Sequence, residues 1–175
     1  ARLDPALPLL TGGPRDQPER LRTMRDAIAW SYDLLEPQAQ RLFRQLSVFH
    51  GAISLDAAES IGEGSDVLDL IASLVEKSLL LREEREDEPR YRMLETVREY
   101  GLEQLAVHGE ADAARYAHAA YFLSLAERAV PEWWGSAPGK WLDRLAADYD
   151  NLRTAMGWAI ECHQTDLAYR LAIAL

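Results

Sequence analysis

One stretch of the sequence has the residues of a phosphate-binding loop without their spacing. Residues 135–141 read Gly-Ser-Ala-Pro-Gly-Lys-Trp. A phosphate loop has the pattern GxxxxGK followed by Ser or Thr, because that hydroxyl holds magnesium. Here the first glycine is one residue too close, Trp141 replaces the hydroxyl residue, and Pro138 removes a backbone donor. We therefore interpret the stretch as a loop between helices.

The other residues that could do chemistry are scattered. The histidines are His50, His108, His118 and His163, and none is spaced i, i+4 from another. Cys162 is the single cysteine, so an internal disulfide and a cysteine metal cluster are both excluded. Its neighbour His163 is badly placed as a base, since consecutive helix residues do not face each other. We predict no catalytic residues, no metal site and no enzymatic activity for this chain.

Composition and charge indicate a helical, acidic protein. The formal net charge is −10, and a strongly acidic domain repels phosphate backbones. No apolar run approaches the ~18 residues of a membrane span, and no charged-then-apolar leader opens the chain. The low cysteine content suits a reducing compartment, so we expect a cytoplasmic protein without a membrane partner. The chain ends inside an apolar-periodic run, which predicts that it is part of a larger protein.

The first part of the chain predicts a linker followed by a winged helix. Residues 1–20 are rich in Pro and Gly and are interpreted as a linker or the tail of a preceding domain. Residues 21–108 contain four helical patterns, with breaks at Gly51, Gly62 and Gly64 and caps expected at Ser54 and Ser65. Short strands are predicted at 79–81 and 91–93 around a polar tip. A helix over 94–108 follows.

Residues 109–175 predict the start of a helical repeat region. A helix over 111–130 ends at Pro131, and helical spacing resumes at Trp141. Residues 152–162 and 166–175 then form a predicted helical hairpin with small residues at its contacts. The predicted fold class is mainly α: a winged-helix domain with a small β-hairpin, followed by TPR-like antiparallel helices.

A winged helix raises the question of DNA binding. The predicted recognition helix covers residues 66–77, and the acids over 54–77 outnumber the single base Lys77; they are Asp56, Glu59, Glu63, Asp66, Asp69 and Glu76. Such a helix meets DNA phosphates with like charge, which indicates packing on protein. The wing is mixed in charge, and its candidate DNA contacts are the arginines Arg82, Arg85, Arg90 and Arg92.

Several blocks in this order resemble a known family. They are Leu10-Thr11-Gly12-Gly13, residues 22–35, Leu46-Ser47-Val48-Phe49, residues 74–79, residues 91–100, residues 141–145 and Asp150-Asn151-Leu152-Arg153. Together they resemble the segment that follows the nucleotide-binding core in bacterial STAND ATPases, relatives of NB-ARC proteins found in transcriptional regulators. The resemblance covers most of the chain.

The resemblance implies a regulatory role for this segment next to a nucleotide-binding domain of the parent protein. It implies a parent that switches between ADP and ATP forms with magnesium, whose nucleotide-binding domain lies upstream and is the partner of this segment. NB-ARC relatives carry a Met-His-Asp triplet whose histidine approaches the ADP phosphate. The matching residues here are Met93, Leu94 and Glu95, a nucleotide-sensor position by resemblance. Leu94 has no donor for a phosphate, and core packing is the alternative interpretation of Met93 and Leu94.

Three functions remain open from the sequence. The first is a non-catalytic regulatory arm that couples nucleotide state in the parent to helical repeats that sense a protein or small-molecule inducer. The second is a DNA-binding module of a transcriptional regulator, which depends on the wing arginines. The third is a protein-interaction scaffold, with Trp133, Trp134 and Trp141 as candidate anchors; a local mini-core is the alternative for these indoles.

Overall fold

The computed structural model describes residues 19–62, 66–84, 88–134 and 138–175. The helices in these ranges are α1 (Glu19–Asp33), α2 (Pro37–Leu46), α3 (Leu55–Ile61), α4 (Val67–Glu76), α5 (Glu95–Val107), α6 (Ala111–Ala129), α7 (Pro138–Ala147), α8 (Tyr149–Glu161) and α9 (Thr165–Ala174), with a 3-10 turn at Pro131–Trp134. The strands are β1 (Ala52–Ser54), β2 (Leu81–Glu83) and β3 (Arg90–Arg92). The protein is mainly helical with one small sheet, as predicted.

A winged helix occupies the middle of the sequence. Helix α2 is followed by β1, the helices α3 and α4, and the hairpin β2–β3. The sheet has the order β1-β3-β2, and both pairings are antiparallel. Tyr91 at the centre of β3 pairs with Ile53 on one side and with Arg82 on the other. The sheet therefore closes one end of the helical core.

Local signals explain where these helices begin. Pro37 opens α2, where its fixed φ suits the first turn and its missing N–H costs nothing. Ser54 caps α3 as predicted, since its side chain accepts a hydrogen bond from the Ala57 amide at 3.2 Å. At Gly62, which follows α3, an added Cβ would lie 2.9 Å from Val67 Cγ2, so a larger residue would push against the start of α4. The predicted cap Ser65 and break Gly64 lie outside the described residues.

The sheet differs from the prediction in two places. The predicted strand at 79–81 begins later, because the amides of Leu79 and Leu80 bond back to the Leu74 carbonyl at 2.9 and 3.2 Å. These two leucines are buried in the turn after α4, which Ser78 enters with a φ of 58°. Strand β1 was not predicted, because three residues are too few to show a period-2 pattern.

The later helices pack on the winged helix and on one another. Helix α5 lies against α1 and α2, and α6 contacts α3. Helices α6, α8 and α9 form a group, and α8 and α9 join through a short turn at His163, whose φ is 57°. This turn matches the predicted hairpin. The TPR-like character of the region and the division into 1–20, 21–108 and 109–175 stay predictions.

Two of the segments discussed from the sequence lie partly outside the described residues. Most of the predicted linker at 1–20 lies outside it, although α1 begins at Glu19. The glycine-lysine loop falls partly outside as well, and Gly139 and Lys140 lie in the first turn of α7. Within 19–62, 66–84, 88–134 and 138–175, no helix combines the length and apolar character that crossing a membrane requires.

Candidate functional site

Helix α4 occupies the position of a recognition helix, and its outer face is acidic and apolar. Val67, Ile71 and Leu74 point into the core. The exposed side of the helix carries Leu68, which is 54% exposed, together with Asp69, Ala72 and Glu76. Lys77 lies at the C-terminal cap of the helix. The structure thus places the acidic residues of the predicted helix on its accessible side.

The later helices leave this face of α4 open. Helix α4 makes its main contacts with α2 and α3, whereas α6 packs against α3 on the other side of the motif. A groove of about 190 Å³ runs beside α4, lined by Gln38, Arg41, Leu42, Gln45, Gly62 and Leu70. In the part of the chain that the structure describes, the outer surface of α4 is therefore exposed.

The predicted wing contacts differ in their accessibility. The Arg82 and Arg92 side chains are both about half exposed, and each is paired with a glutamate of the wing. Arg82 Nη2 lies 3.7 Å from Glu84 Oε1, and Arg92 Nε lies 2.8 Å from Glu83 Oε1. Arg85 lies outside the described residues. In the described wing, each of these arginines therefore has a glutamate nearby, which lowers the positive potential that would attract DNA phosphates.

Arg90 is a buried structural cation. Its guanidinium donates to the Asp148 carboxylate, and its Nη2 also lies 3.0 Å from Glu88 Oε1. Both Arg90 and Asp148 are almost fully buried. Burial raises the pKa of Asp148, and the attraction of Arg90 only partly opposes this effect. The Arg90 guanidinium holds β3 against the junction of α7 and α8 and is not at the surface to contact DNA.

The predicted sensor residues lie at the junction of β3 and α5. Met93 is buried in the core, and Leu94 is half exposed at the N-cap of α5. Glu95 accepts hydrogen bonds from Arg98 at 2.6 and 3.1 Å, and these bonds lower the pKa of Glu95. All three residues line a cavity of about 280 Å³ with Leu46, Phe49, His50, Gly51, Ile53, Arg92, Arg98 and Asp150.

This cavity does not fit the phosphate of a nucleotide. Its two guanidinium groups, Arg92 and Arg98, are already paired with carboxylates. Two carboxylates, Glu95 and Asp150, share the lining, and Leu94 offers no donor. The described residues therefore supply no unpaired guanidinium for the phosphates of ADP or ATP in this cavity.

A buried amide joins the winged helix to the later helices. Asn151 Oδ1 accepts the His50 amide at 2.8 Å, and Asn151 Nδ2 donates to the Ala52 carbonyl at 3.0 Å. His118 Nε2 lies 3.4 Å from the same Asn151 oxygen. Asn151 thus satisfies the backbone on both sides of Gly51, where β1 begins. In the sequence, Asn151 is marked by its place in the block Asp150-Asn151-Leu152-Arg153, which resembles the family, and by no chemical pattern.

His118 fills the centre of this joint as an uncharged ring. It is 2% exposed and packs edge-on against Phe49 at 4.8 Å, with Phe122 at 4.7 Å. Burial lowers its pKa from 6.5 to about 4, which its hydrogen bond to Asn151 only partly opposes. The ring is therefore neutral at physiological pH and works as part of the core.

Ion pairs complete the connection between the two halves. Arg44 is buried and donates to both Glu110 carboxylate oxygens at 2.8 Å, and to the Tyr32 hydroxyl at 2.7 Å. Arg144 Nη2 on α7 lies 3.1 Å from Asp56 Oδ2 on α3. These pairs fix the orientation of the helical region on the winged helix.

The remaining candidates from the sequence are Cys162, His163 and the tryptophans Trp133, Trp134 and Trp141. Cys162 is exposed at the end of α8, and His163 accompanies it in the turn. Among the described residues, no group of three or more His, Cys, Asp or Glu side chains is placed to hold a metal ion. Trp141 is partly buried against the core, whereas the side chains of Trp133 and Trp134 lie outside the description.

Comparison with known proteins agrees with the winged helix. Residues 35–106 match the family model of the winged helix-turn-helix domain. Proteins named "Putative HTH-type transcriptional regulator" from Mycobacterium bovis and Mycobacterium tuberculosis are each 38% identical over 179 aligned residues, which cover 99% of this chain and 20% of theirs. An uncharacterized protein of Mycobacterium bovis is 38% identical over 103 residues, 54% of this chain and 26% of its own.

The chain therefore spans about a fifth of the length of the mycobacterial regulators that it matches. No solved structure matches it. The chain contains a winged helix-turn-helix domain and is homologous to proteins named as transcriptional regulators. These names mention no nucleotide-binding core, so the ATPase part of the resemblance gains no support from them.

Proposed function

We propose that this chain is the winged helix-turn-helix segment of a transcriptional regulator and that the outer face of α4 binds a basic protein surface. The match over residues 35–106 and the names of the mycobacterial relatives support the first part. The open, acidic face of α4 supports the second part. The segment has no catalytic role in this proposal.

The composition of the α4 face carries the proposal. DNA presents a dense row of phosphates, and proteins that bind it supply Lys and Arg to release counterions. Asp69 and Glu76 on the accessible side of α4 would repel those phosphates. A basic protein surface would instead be attracted to them, and Leu68 and Ala72, exposed on the same helix, offer an apolar surface beside them.

DNA contact through the winged helix is the second candidate. The family match favours it, because winged helix-turn-helix domains are commonly DNA-binding modules. Arg82 is the best-placed described contact, since its side chain is more than half exposed and its distance to Glu84 is long. In this alternative the wing, rather than α4, would supply the phosphate contacts.

The partner of the α4 face would lie in the rest of the regulator or on another protein. The resemblance to STAND ATPases suggests an upstream nucleotide-binding domain as that partner. The segment would then act as a regulatory arm, provided that its contacts with the core differ between the two nucleotide states. The relatives are about five times as long as this chain, which leaves room for such a core and for a DNA-binding element elsewhere.

Neutralising the α4 acids separates protein docking from DNA contact. In a full-length regulator that contains this segment, we would make the double substitution Asp69→Asn with Glu76→Gln. We expect an altered output from a target promoter with unchanged promoter occupancy, because the docking contact loses its charge. Increased occupancy would contradict the proposal, since relief of phosphate repulsion would place α4 on DNA. Asp26→Asn with Asp143→Asn, an equal change at exposed sites on α1 and α7, is the control.

A further inference from the structure

A second, larger groove lies where the winged helix meets the helical region. Its volume is about 480 Å³, within the range of roughly 300–1,000 Å³ typical of small-molecule sites. Helices α5, α6 and α8 contribute most of its lining, which comprises Val48, Arg98, Leu102, Arg115, His118, Arg153, Thr154, Gly157, Trp158 and Glu161. The groove is separate from the α4 face.

The groove concentrates positive charge in an acidic chain. Three arginines and one glutamate line it, although the whole chain has a net charge of −10. Arg115 and Arg153 are exposed, and neither has a carboxylate partner among the described residues. Arg98 is paired with Glu95 on the side of the other cavity. The guanidinium groups of Arg115 and Arg153 therefore line the groove without a carboxylate partner among the described residues. His118 lines it as a neutral ring and adds no positive charge.

Part of the groove lining is apolar and aromatic. Leu102 and Val48 contribute aliphatic surface, and Trp158 contributes an indole ring that packs edge-on against Tyr116 at 6.3 Å. A planar apolar body can lie against such a ring, and the arginines can hold an anionic group beside it.

Gly157 keeps space open in the groove. It lies within α8, where glycine costs about 1 kcal/mol relative to alanine. A Cβ at this position would meet nothing within 4 Å, so close packing does not require the glycine. Its missing side chain leaves room beside Trp158.

We propose that this groove binds a small organic anion with a planar apolar body. The anionic group, a carboxylate or a phosphate, lies between Arg115 and Arg153, and the body lies against Trp158 and Leu102. Such a ligand touches α5 of the winged helix and α6 and α8 of the helical region, so its binding stabilises their joint. The proposal is independent of whether α4 meets protein or DNA.

Calorimetric titration of the 175-residue chain with four probes tests the ligand class. The probes are 1-naphthyl phosphate, 1-naphthoate, neutral 1-naphthol and inorganic phosphate. We expect saturable binding of at least one naphthyl anion, at least tenfold tighter than 1-naphthol and inorganic phosphate, because charge and apolar contact act together. The tighter naphthyl anion identifies the head group. Failure of both naphthyl anions to saturate, or equal binding of 1-naphthol, would overturn the proposal.

Variants then locate the binding in the groove. Arg115→Gln with Arg153→Gln should weaken the bound anion at least tenfold, whereas Arg128→Gln, on the same α6 but outside the lining, should leave the affinity unchanged. Gly157→Leu should abolish binding by filling the groove while the chain stays folded. Gly139→Leu, at another glycine with open space, should bind as the unchanged chain does. Unchanged binding by a folded Gly157→Leu variant would place the ligand elsewhere and refute the site.

Discussion

The buried ring of His118 makes the stability of this protein sensitive to acid. Its folded-state pKa of about 4 lies below the ordinary value of 6.5, so the unfolded chain binds a proton that the folded chain excludes. The contribution of His118 to stability is therefore fully present at pH values above its ordinary pKa of 6.5. It is lost as the pH falls towards the folded-state pKa.

We predict that His118→Phe flattens this pH dependence. Between about pH 7.5 and pH 5 the His118 term should lower the free energy of unfolding by roughly 2 kcal/mol, and phenylalanine removes that term. Urea unfolding at both pH values measures the difference. His163→Asn, at an exposed site whose positive φ suits asparagine, should keep the original dependence. An equal pH dependence in His118→Phe and the unchanged chain would show that the ring is not buried as described.

Substitutions of Arg90 and Asp148 should have non-additive effects on the free energy of unfolding, because the two side chains form a buried ion pair. Asp148→Asn leaves the buried Arg90 charge without its main partner, and we expect it to lower the free energy of unfolding by about 3–5 kcal/mol. Replacing both residues by leucine should recover most of that loss, because the two charges no longer need to be desolvated. Denaturant unfolding of the single and double variants measures the coupling. Glu84→Gln, in an exposed pair, should change stability by less than about 1 kcal/mol.

At the scale of helices and strands, the helices were predicted more accurately than the three-residue strands. The sequence over 111–130 predicts α6 almost to its observed end at Ala129, because Pro131 follows the helix and cannot continue it. Strand β1 escaped prediction, because the pairing of Ile53 with Tyr91 is set by residues far along the chain. Leu79 and Leu80 look like a strand but are buried by a turn, which composition alone cannot distinguish.

Alanine substitutions at Gly101 and Gly157 should have opposite effects on stability, because Gly101 lies at the close contact between α2 and α5 and Gly157 has open space around it. An alanine Cβ at Gly101 would lie 2.7 Å from Ser47 Cβ and 3.3 Å from a Phe43 ring carbon, so Gly101→Ala must separate the helices. We expect it to lower the free energy of unfolding by about 1–3 kcal/mol. Gly157→Ala should raise it by up to about 1 kcal/mol, because only helix propensity changes. Thermal unfolding measures both, and a neutral Gly101→Ala would contradict the described packing.

Across the whole molecule, the functional surfaces depend on contacts that the sequence does not reveal. The acidic character of α4 was predictable, since Asp69 and Glu76 are local to one helix. The burial of Arg90 was not, because Asp148 lies 58 residues away in the sequence. The arginine-lined groove likewise forms only when α5 packs against α6 and α8.

Asn151 predicts that the winged helix and the later helices unfold together. Asn151→Leu removes the acceptor for the His50 amide and the donor to the Ala52 carbonyl, and leaving such groups unpaired costs about 1–3 kcal/mol each. We expect faster hydrogen exchange in β1 and α8 than in the unchanged chain. Thr154→Val is the control, at a partly buried site in the same helix whose hydroxyl bonds within that helix. Unchanged exchange in Asn151→Leu would mean that this amide does not join the two halves.

The most direct test of the proposed function is the affinity of this chain for DNA. Fluorescence anisotropy of a labelled random duplex would be measured at low salt, where phosphate contacts are strongest. The acidic face of α4 and the paired wing arginines predict no binding up to about tens of micromolar chain. Clear, salt-sensitive binding would contradict the protein-docking proposal and favour the DNA alternative, with Arg82 and Arg92 as the first described residues to replace.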